Sequence, residues 1–171
     1  MTIWLTGLPS AGKTTIANAV AEQLDGEVHV LDGDEIREFL SAGLGFTRED
    51  RHTNVQRIGF VAELLARNGV IALVPVIAPY ADSRDAVRKR HGANGTPYVE
   101  VHVATPVEVC SVRDVKGLYA KQAAGELTGL TGVDDPYEEP ETPDLRIESQ
   151  NQTVQESAAS VYAALSERGL A

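Results

Sequence analysis

The length, composition and charge of the chain exclude several classes of protein. It has 171 residues, 43% of them hydrophobic and 23% charged, which suits one globular domain with a buried core. The formal net charge of −10 argues against nucleic acid as a partner, because binding its backbone needs an excess of lysine and arginine. No apolar run has the length of a membrane span, no secretory signal is visible, and the single cysteine, Cys110, fits a reducing, cytoplasmic setting.

Strand and helix patterns alternate along the whole chain. Apolar runs predict strands at residues 2–6, 27–31, 70–77, 98–103 and 145–147. Helices, caps included, are predicted at residues 13–23, 34–41, 47–68, 83–91, 106–110 and 154–166. This order predicts an α/β fold over residues 1–171, in which a five-stranded parallel sheet is flanked by helices on both faces.

Local signals set several of these boundaries. Asp34 is predicted to cap the second helix. Thr47 caps the third, with Asp50 as an acidic variant of the capping box. Pro75 marks the exit of the third strand, because a central strand has no place for a residue without an N–H.

The stretch from Gly7 to Thr14 has the spacing G-x-x-x-x-G-K-T between a strand and a helix. Its glycines allow the backbone to form a nest of N–H donors, and the helix start adds a partial positive charge. Lys13 reaches the terminal phosphates, and the Thr14 hydroxyl reaches Mg²⁺. The stretch therefore predicts a nucleoside triphosphate site of the P-loop type.

Charged side chains follow at neighbouring positions of the predicted sheet edge. Asp32 and Asp34 come after the second strand, where one could position Mg²⁺ and the other could accept the proton of an acceptor hydroxyl. The sequence leaves open which carboxylate does which. Arg37 lies one turn further on, and Arg51 and Asn54 share a face of the next helix. Together they indicate a site for a small anionic acceptor.

Residues 113–143 are rich in glycine and proline and show little periodicity. A segment of about thirty residues without strong structure is usually functional in a compact domain. We expect a lid over the site, because the segment contains chemically varied side chains such as Lys116, Tyr119 and Tyr137. The alternative is a disordered insertion.

A series of motifs in collinear order resembles the adenylyl-sulfate kinase family over nearly the whole chain. They are TIWLTGLPSAGKTT (2–15), LDGDEIR (31–37), LGFTREDR (44–51), Asn54, VIAPY (76–80), VEVHVATPVEVC (99–110), RDVKGLY (113–119) and LTGVDDPYEEP (130–140). The resemblance implies a P-loop kinase with a lid. It also implies a reaction in which MgATP phosphorylates the 3′-hydroxyl of adenosine 5′-phosphosulfate (APS) to give 3′-phosphoadenosine 5′-phosphosulfate, the activated sulfate donor.

The resemblance assigns expected roles residue by residue. Catalysis would depend on Lys13 and Asp34. ATP and its Mg²⁺ would be bound by Gly7, Ser10, Ala11, Gly12, Lys13, Thr14 and Thr15, with Thr14 on the metal and Arg113 near the adenine. APS would be bound by Asp34, Arg37, Phe46, Arg51, Asn54, Ile77, Lys116 and Leu130, with Phe46 against its adenine. Homodimers are usual in the family.

The chain also departs from the family pattern. Ala78 replaces a serine, so a phosphoserine intermediate cannot form and direct in-line transfer is expected. Leu130 replaces a phenylalanine, which would weaken stacking on the second face of the adenine. Charged residues are lost at Thr53, Gln56 and Ala123. These changes lie on the acceptor side and the lid, whereas the donor side is intact.

Three functions remain in competition. The first is an active adenylyl-sulfate kinase. The second is a kinase of the same fold with a different small hydroxylated or nucleotide acceptor, which the acceptor-side departures motivate. The third is a nucleotide-binding module without catalysis, against which the retention of Lys13, Thr14 and Asp34 speaks.

Overall fold

A computed structural model describes residues 1–171. The strands are β1 (Thr2–Thr6), β2 (Val28–Val30), β3 (Ile71–Pro75), β4 (Tyr98–Val103) and β5 (Leu145–Ile147). The helices are α1 (Lys13–Ala21), α2 (Gly33–Glu38), α3 (Arg48–Arg67), α4 (Ala81–Ala93), α5 (Val107–Arg113), α6 (Leu118–Ala123) and α7 (Val154–Ser166). None of these helices combines the length and the apolar character needed to cross a membrane.

The five strands form one parallel sheet in the order β2-β3-β1-β4-β5, which confirms the predicted fold class. β1 lies at the centre, and all five of its residues are buried because helices cover both faces. In a parallel sheet all the carboxyl ends point to one edge. The loops that follow β1, β2, β3 and β4 therefore meet there.

Two apolar clusters hold the helices on the sheet. Successive side chains of a strand point to opposite faces, so Ile3 and Leu5 join the cluster under α1 and α7. Trp4 joins the cluster under α3 and α4, with Ile58 and Val74. The central strand thus contributes to both cores and fixes the position of the loop that follows it.

The start of α2 differs from the prediction. Its N-cap is Asp32 rather than Asp34, since Asp32 Oδ1 accepts a hydrogen bond from the Asp34 N–H at 2.9 Å. A cap carboxylate binds the N–H two or three residues further on, so the first aspartate of D-G-D caps and the second enters the first turn. The Asp34 carboxylate is therefore not used in capping. α2 ends at Glu38, three residues before the predicted end.

Most other boundaries agree with the prediction to within two or three residues. Thr47 caps α3 by accepting from the Asp50 N–H at 3.1 Å, and β3 ends at Pro75. α5 extends to Arg113 instead of ending at Cys110. The short helix α6 within residues 113–143 was not predicted, because six residues are too few to show a helical period.

Gly59 lies where α3 crosses α4, and we predict that alanine at this position destabilises the protein. An added Cβ would lie 2.6 Å from Cγ2 of Val87, whose side chain is fully buried. Alanine gains about 1 kcal/mol of helix propensity over glycine. Overpacking a core costs about 1–3 kcal/mol, so we expect a net loss of up to about 2 kcal/mol in the free energy of unfolding, measured by urea denaturation.

Gly92→Ala on α4 is the matched control, because a Cβ there meets nothing within 4 Å. It should leave the stability unchanged or raise it. In the double variant Gly59→Ala/Val87→Ala, the loss should be smaller than the sum of the two single losses. An equal gain in stability at Gly59 and Gly92 would contradict the proposed crowding.

Candidate active site

The loop between β1 and α1 depends on two glycines. A Cβ at Gly7 would lie 2.5 Å from the backbone oxygen of Val103, so only glycine permits this close approach to β4. Gly12 is the N-cap of α1 and has a φ of 102°, in the left-handed region. This turn brings Lys13 and Thr14 into the first turn of α1 at the carboxyl edge of the sheet.

Lys13 is held inside this loop by its own backbone. Its Nζ donates to the carbonyl oxygens of Gly7 at 2.9 Å and Leu8 at 2.7 Å, and only 8% of the residue is exposed. Burial lowers the pKa of the Lys13 ammonium to about 8. The ammonium is thus already positioned beside the N–H groups of the loop. The negative charge of a bound phosphate would stabilise its charged form there.

Thr14 and Asp32 join the loop to the end of β2. The Thr14 hydroxyl donates to Asp32 Oδ2 at 3.1 Å, which leaves lone pairs of the hydroxyl oxygen for a cation. No group of three or more His, Cys, Asp or Glu side chains could hold a metal alone. This arrangement suits Mg²⁺, which usually binds through one or two carboxylates, waters and substrate phosphates.

Asp34 and Lys116 form an ion pair between α2 and the segment that follows α5. The two residues are far apart in sequence, and both side chains are more than half exposed. An exposed pair of this kind contributes little to stability. The Asp34 carboxylate is therefore accessible, with a lysine beside it. We call the site between the P-loop (residues 7–14), the start of α2 and Lys116 the cleft.

Phe46, in the loop before α3, has an exposed aromatic ring. It is 66% exposed, and the guanidinium carbon of Arg37 lies 4.6 Å from the ring centroid. Arg37 is held in turn, because its Nη1 donates to the Gly45 carbonyl at 2.8 Å. An exposed ring flanked by cations is well suited to stacking on a planar, anionic ligand.

Arg51 clamps two segments together and is almost entirely buried. Its Nε donates to the Phe46 carbonyl at 2.9 Å, and its Nη1 donates to Thr131 Oγ1 at 3.0 Å. Asp135 lies 3.1 Å from Nη2 but out of line for a hydrogen bond, so charge holds that pair.

One turn along α3, the buried Oδ1 of Asn54 has no hydrogen-bond partner within the protein. A ligand donor could satisfy that oxygen.

The loop after β3 carries Ile77 and Ala78. The Ile77 carbonyl accepts from the Thr6 hydroxyl at 2.6 Å, whereas its N–H makes no hydrogen bond within the protein. Ala78 has a φ of 43°, which is unusual for a residue with a Cβ. This loop therefore lies beside the P-loop, as predicted from the strand ends.

Arg113 attaches α5 to the outer side of the P-loop. Its Nη1 donates to the Ala11 carbonyl at 3.2 Å and to Ser149 Oγ at 3.0 Å.

Leu130, expected to face an adenine, is only 5% exposed and belongs to the apolar cluster that includes Tyr119. Its side chain packs in the core and offers no open face.

Residues 113–143 fold across the strand ends. The Tyr119 hydroxyl donates to the Pro9 carbonyl at 3.0 Å, and the Glu138 N–H donates to the Pro79 carbonyl at 2.8 Å. The Asp134 carboxylate accepts from the N–H groups of Gly129 and Leu130. These bonds contradict the alternative of a disordered insertion.

A separate cavity of about 570 Å³ lies between this segment and the end of β4. Its lining includes Leu8, His102, Tyr137 and Arg146, but none of the predicted catalytic or acceptor residues. Burial lowers the pKa of His102 to about 4, so this side chain is neutral near pH 7. The predicted residues contact one another outside this cavity: Thr14 binds Asp32, Asp34 pairs with Lys116, and Arg37 and Arg51 flank Phe46.

Sequence reasoning missed several residues that position the cleft. Arg84 on α4 is buried and binds the carbonyl oxygens of Ala78 and Glu138. Ser149 contacts the P-loop through the Ala11 carbonyl. No sequence signal separates a buried arginine from the exposed arginines of the same polar helix.

Three comparisons with known proteins agree. The family model described as adenylylsulphate kinase matches residues 1–148. Adenylyl-sulfate kinases of Rippkaea orientalis and Myxococcus xanthus are 52% and 51% identical; the alignments cover 99% and 98% of this chain, and 93% and 92% of the relatives. The structure of the Mycobacterium tuberculosis APS kinase in complex with AMPPNP and APS matches with a TM-score of 0.93 and 43% identity, over 96% of each chain.

We predict that nucleotide affinity falls as the pH rises above about 8, the pKa of Lys13 in the free protein. Below that pH the ammonium is charged in both the free and the bound state, so this group causes no pH dependence. Bound phosphate favours the charged form and raises the pKa. Above pH 8 binding therefore takes up a proton, and affinity falls by up to about tenfold per pH unit.

Isothermal titration calorimetry with a non-hydrolysable ATP analogue, in buffers of different ionisation enthalpy, measures this uptake. Lys13→Ala should bind weakly and lose the uptake. Lys89→Ala removes an exposed lysine on α4 and should behave like wild type. Proton uptake that persists in Lys13→Ala would assign it to another group.

Proposed function

The chain belongs to the adenylyl-sulfate kinase family, and we propose how its cleft performs the reaction of that family. The enzyme is a phosphotransferase that moves the terminal phosphoryl group of ATP to the 3′-hydroxyl of APS. One observation carries this function at the level of the site. Thr14 of the P-loop binds Asp32, two residues before Asp34, so the loop proposed for ATP lies beside the residue proposed to act on the acceptor.

On the donor side, the loop N–H groups and Lys13 would bind the ATP phosphates. When Mg²⁺ is bound, it neutralises phosphate charge and orients the transferred group. Thr14 would be its protein ligand. We assign Asp32 to the waters around the metal, because its carboxylate already accepts from the Thr14 hydroxyl.

We assign the proton-accepting role to Asp34. Its carboxylate is not occupied by capping, is exposed at the cleft and lies in the first turn of α2. A carboxylate there can accept the proton that the 3′-hydroxyl loses during transfer. Because Ala78 cannot carry a phosphoryl group, transfer is direct and in line.

On the acceptor side, Phe46 would stack on the adenine of APS, with Arg37 near its charged groups. Neither Asn54 Oδ1 nor the Ile77 N–H has a hydrogen-bond partner within the protein. Asn54 Oδ1 would accept a hydrogen bond from APS, and the Ile77 N–H would donate one to it. Arg51 would act mainly by holding Phe46 and the segment around Thr131. Arg113 is proposed to lie near the ATP adenine.

We further propose that residues 113–143 act as a lid. In the free protein Lys116 pairs with Asp34, and a phosphate or sulfate group would compete for the same lysine. Leu130 would contribute through packing beneath the lid rather than through stacking. The requirement for Mg²⁺, the homodimer and the cytoplasmic location stay predictions.

Acceptor identity is tested by measuring ATP consumption with APS and with a panel of other nucleotides and polyols. We expect turnover with APS, with a 3′-phosphorylated product identified by mass spectrometry. Phosphorylation of another alcohol without turnover of APS would favour the same-fold alternative. Nucleotide binding without turnover of any acceptor would favour a module without catalysis.

Replacement of Asp34 and replacement of Asp32 should change different kinetic parameters. We predict that Asp34→Asn lowers kcat by about 10²–10⁴-fold, because a general base contributes that much, and leaves binding of the ATP analogue nearly unchanged. Asp32→Asn should instead raise the Mg²⁺ concentration needed for half-maximal rate. Asp25→Asn, an exposed acid before β2, is the control. Wild-type kcat in Asp34→Asn would disprove its assignment.

A further inference from the structure

Arg84 joins three parts of the molecule that are distant in sequence. It is only 3% exposed, and its Nη1 donates to the Ala78 carbonyl at 2.7 Å. Its Nη2 donates to the Glu138 carbonyl at 2.7 Å. Its Nε lies 3.1 Å from Glu100 Oε1, out of line for a hydrogen bond, so charge holds this pair. One guanidinium thus connects the loop after β3, the end of the lid segment and β4.

The loop that Arg84 holds has an unusual backbone. Ala78 is left-handed, with a φ of 43°, a conformation that a residue with a Cβ keeps only where its surroundings enforce it. Arg84 binds the carbonyl of that same residue. The preceding residue, Ile77, has an N–H that makes no hydrogen bond within the protein. Because Ile77 and Ala78 share a peptide unit, a change of conformation at Ala78 would also displace Ile77.

The end of the lid segment is bound to the same loop from the other side. Glu138 donates its N–H to the Pro79 carbonyl at 2.8 Å, and its Oε2 accepts from the Ala81 N–H at 2.7 Å. With the Arg84 bond to the Glu138 carbonyl, both backbone polar groups of Glu138 are fixed. The loop and the end of the lid segment therefore form one unit.

We propose that Arg84 is a positioning residue for the acceptor. It keeps residues 77–80 in the conformation that receives APS and fixes the end of the lid to them. The inference rests on the acceptor side proposed above. Only an arginine fits this role, because its planar fork directs separate N–H groups at two carbonyls while the charge faces Glu100.

Arg88, one turn further along α4, is a natural internal control. Its Nη2 binds the same Glu100 at 3.1 Å and Asp144 at 2.8 Å, but it touches neither Ala78 nor Glu138. If the arginines served only to neutralise the buried Glu100 carboxylate on β4, removal of either one would have similar effects on the kinetics. A role in positioning the acceptor predicts different consequences.

The test compares Arg84→Lys with Arg88→Met in steady-state assays with ATP and APS, and measures the Tm of each. Lysine keeps the charge beside Glu100 but cannot bind both carbonyls. We expect the KM for APS to rise about tenfold or more, as loss of hydrogen bonds from a charged group implies. The KM for ATP should stay within about threefold of wild type, because the P-loop is not touched. Arg88→Met should leave both KM values near wild type.

Two further variants extend the test, and the second does not depend on whether the Arg84 variants fold. Ala78→Gly in the Arg84→Lys background should recover part of the lost APS affinity, since glycine adopts the left-handed conformation without enforcement. Glu138→Ala removes the carboxylate bond to the Ala81 N–H and an ion pair with Arg48, in which Nη1 and Oε1 are 3.6 Å apart and both side chains are at least 40% exposed. Such an exposed pair contributes little to stability. Glu138→Ala should also raise the KM for APS selectively, even if the Arg84 variants do not fold.

Equal changes in both KM values, or the same split in Arg88→Met, would overturn the proposal and leave Arg84 a purely structural residue. A KM for APS that Glu138→Ala leaves unchanged would also count against it. Absence of APS turnover in the wild-type protein is a different result. It would refute the proposed acceptor rather than the role of Arg84.

Discussion

The close approach of Gly7 to the carbonyl of Val103 constrains everything else in the cleft. A single Cβ at this point would overlap the backbone of β4, so the chain can turn here only with glycine. The turn places Lys13 under its own loop carbonyls and puts Thr14 within reach of Asp32. The donor side is therefore assembled by backbone geometry at the sheet edge, before any ligand contributes.

The acceptor side is assembled in another way, by charged side chains that connect distant segments. Arg51 joins α3 to the segment around Thr131, and Arg84 joins α4 to the loop at Ala78. In a protein of net charge −10, such arginines are largely engaged with carbonyls and carboxylates. Two cations at the proposed acceptor side are Lys116, which is exposed and paired with Asp34, and Arg37, which is half-buried between the Phe46 ring and the Gly45 carbonyl. Acceptor recognition thus depends on local placement of charge and not on the overall field.

The sequence predicts what local signals encode. The strands, the P-loop and the Thr47 cap follow from apolar runs and motif spacing, and the structure contains them. D-G-D offers two possible caps two residues apart, and the choice of Asp32 depends on where β2 ends. α6 is too short for a period. The roles of Arg84 and the burial of Leu130 depend on segments that meet only in the folded chain, so no local pattern reveals them.

The departures from the family pattern take on a different meaning in the folded protein. Leu130 lies in the core, and Gln56 donates to the Ser83 carbonyl at 3.0 Å on the side of α3 that faces α4. Ala123 is the exposed last residue of α6. These three substitutions change packing and surface charge, whereas Phe46 and Asn54 are retained in the sequence. The position of the changes, together with 52% identity to an adenylyl-sulfate kinase, favours the same acceptor over a new one. Ala78 is a departure in the loop beside the P-loop, but the change from serine to alanine removes a hydroxyl and adds no group that could bind a different acceptor.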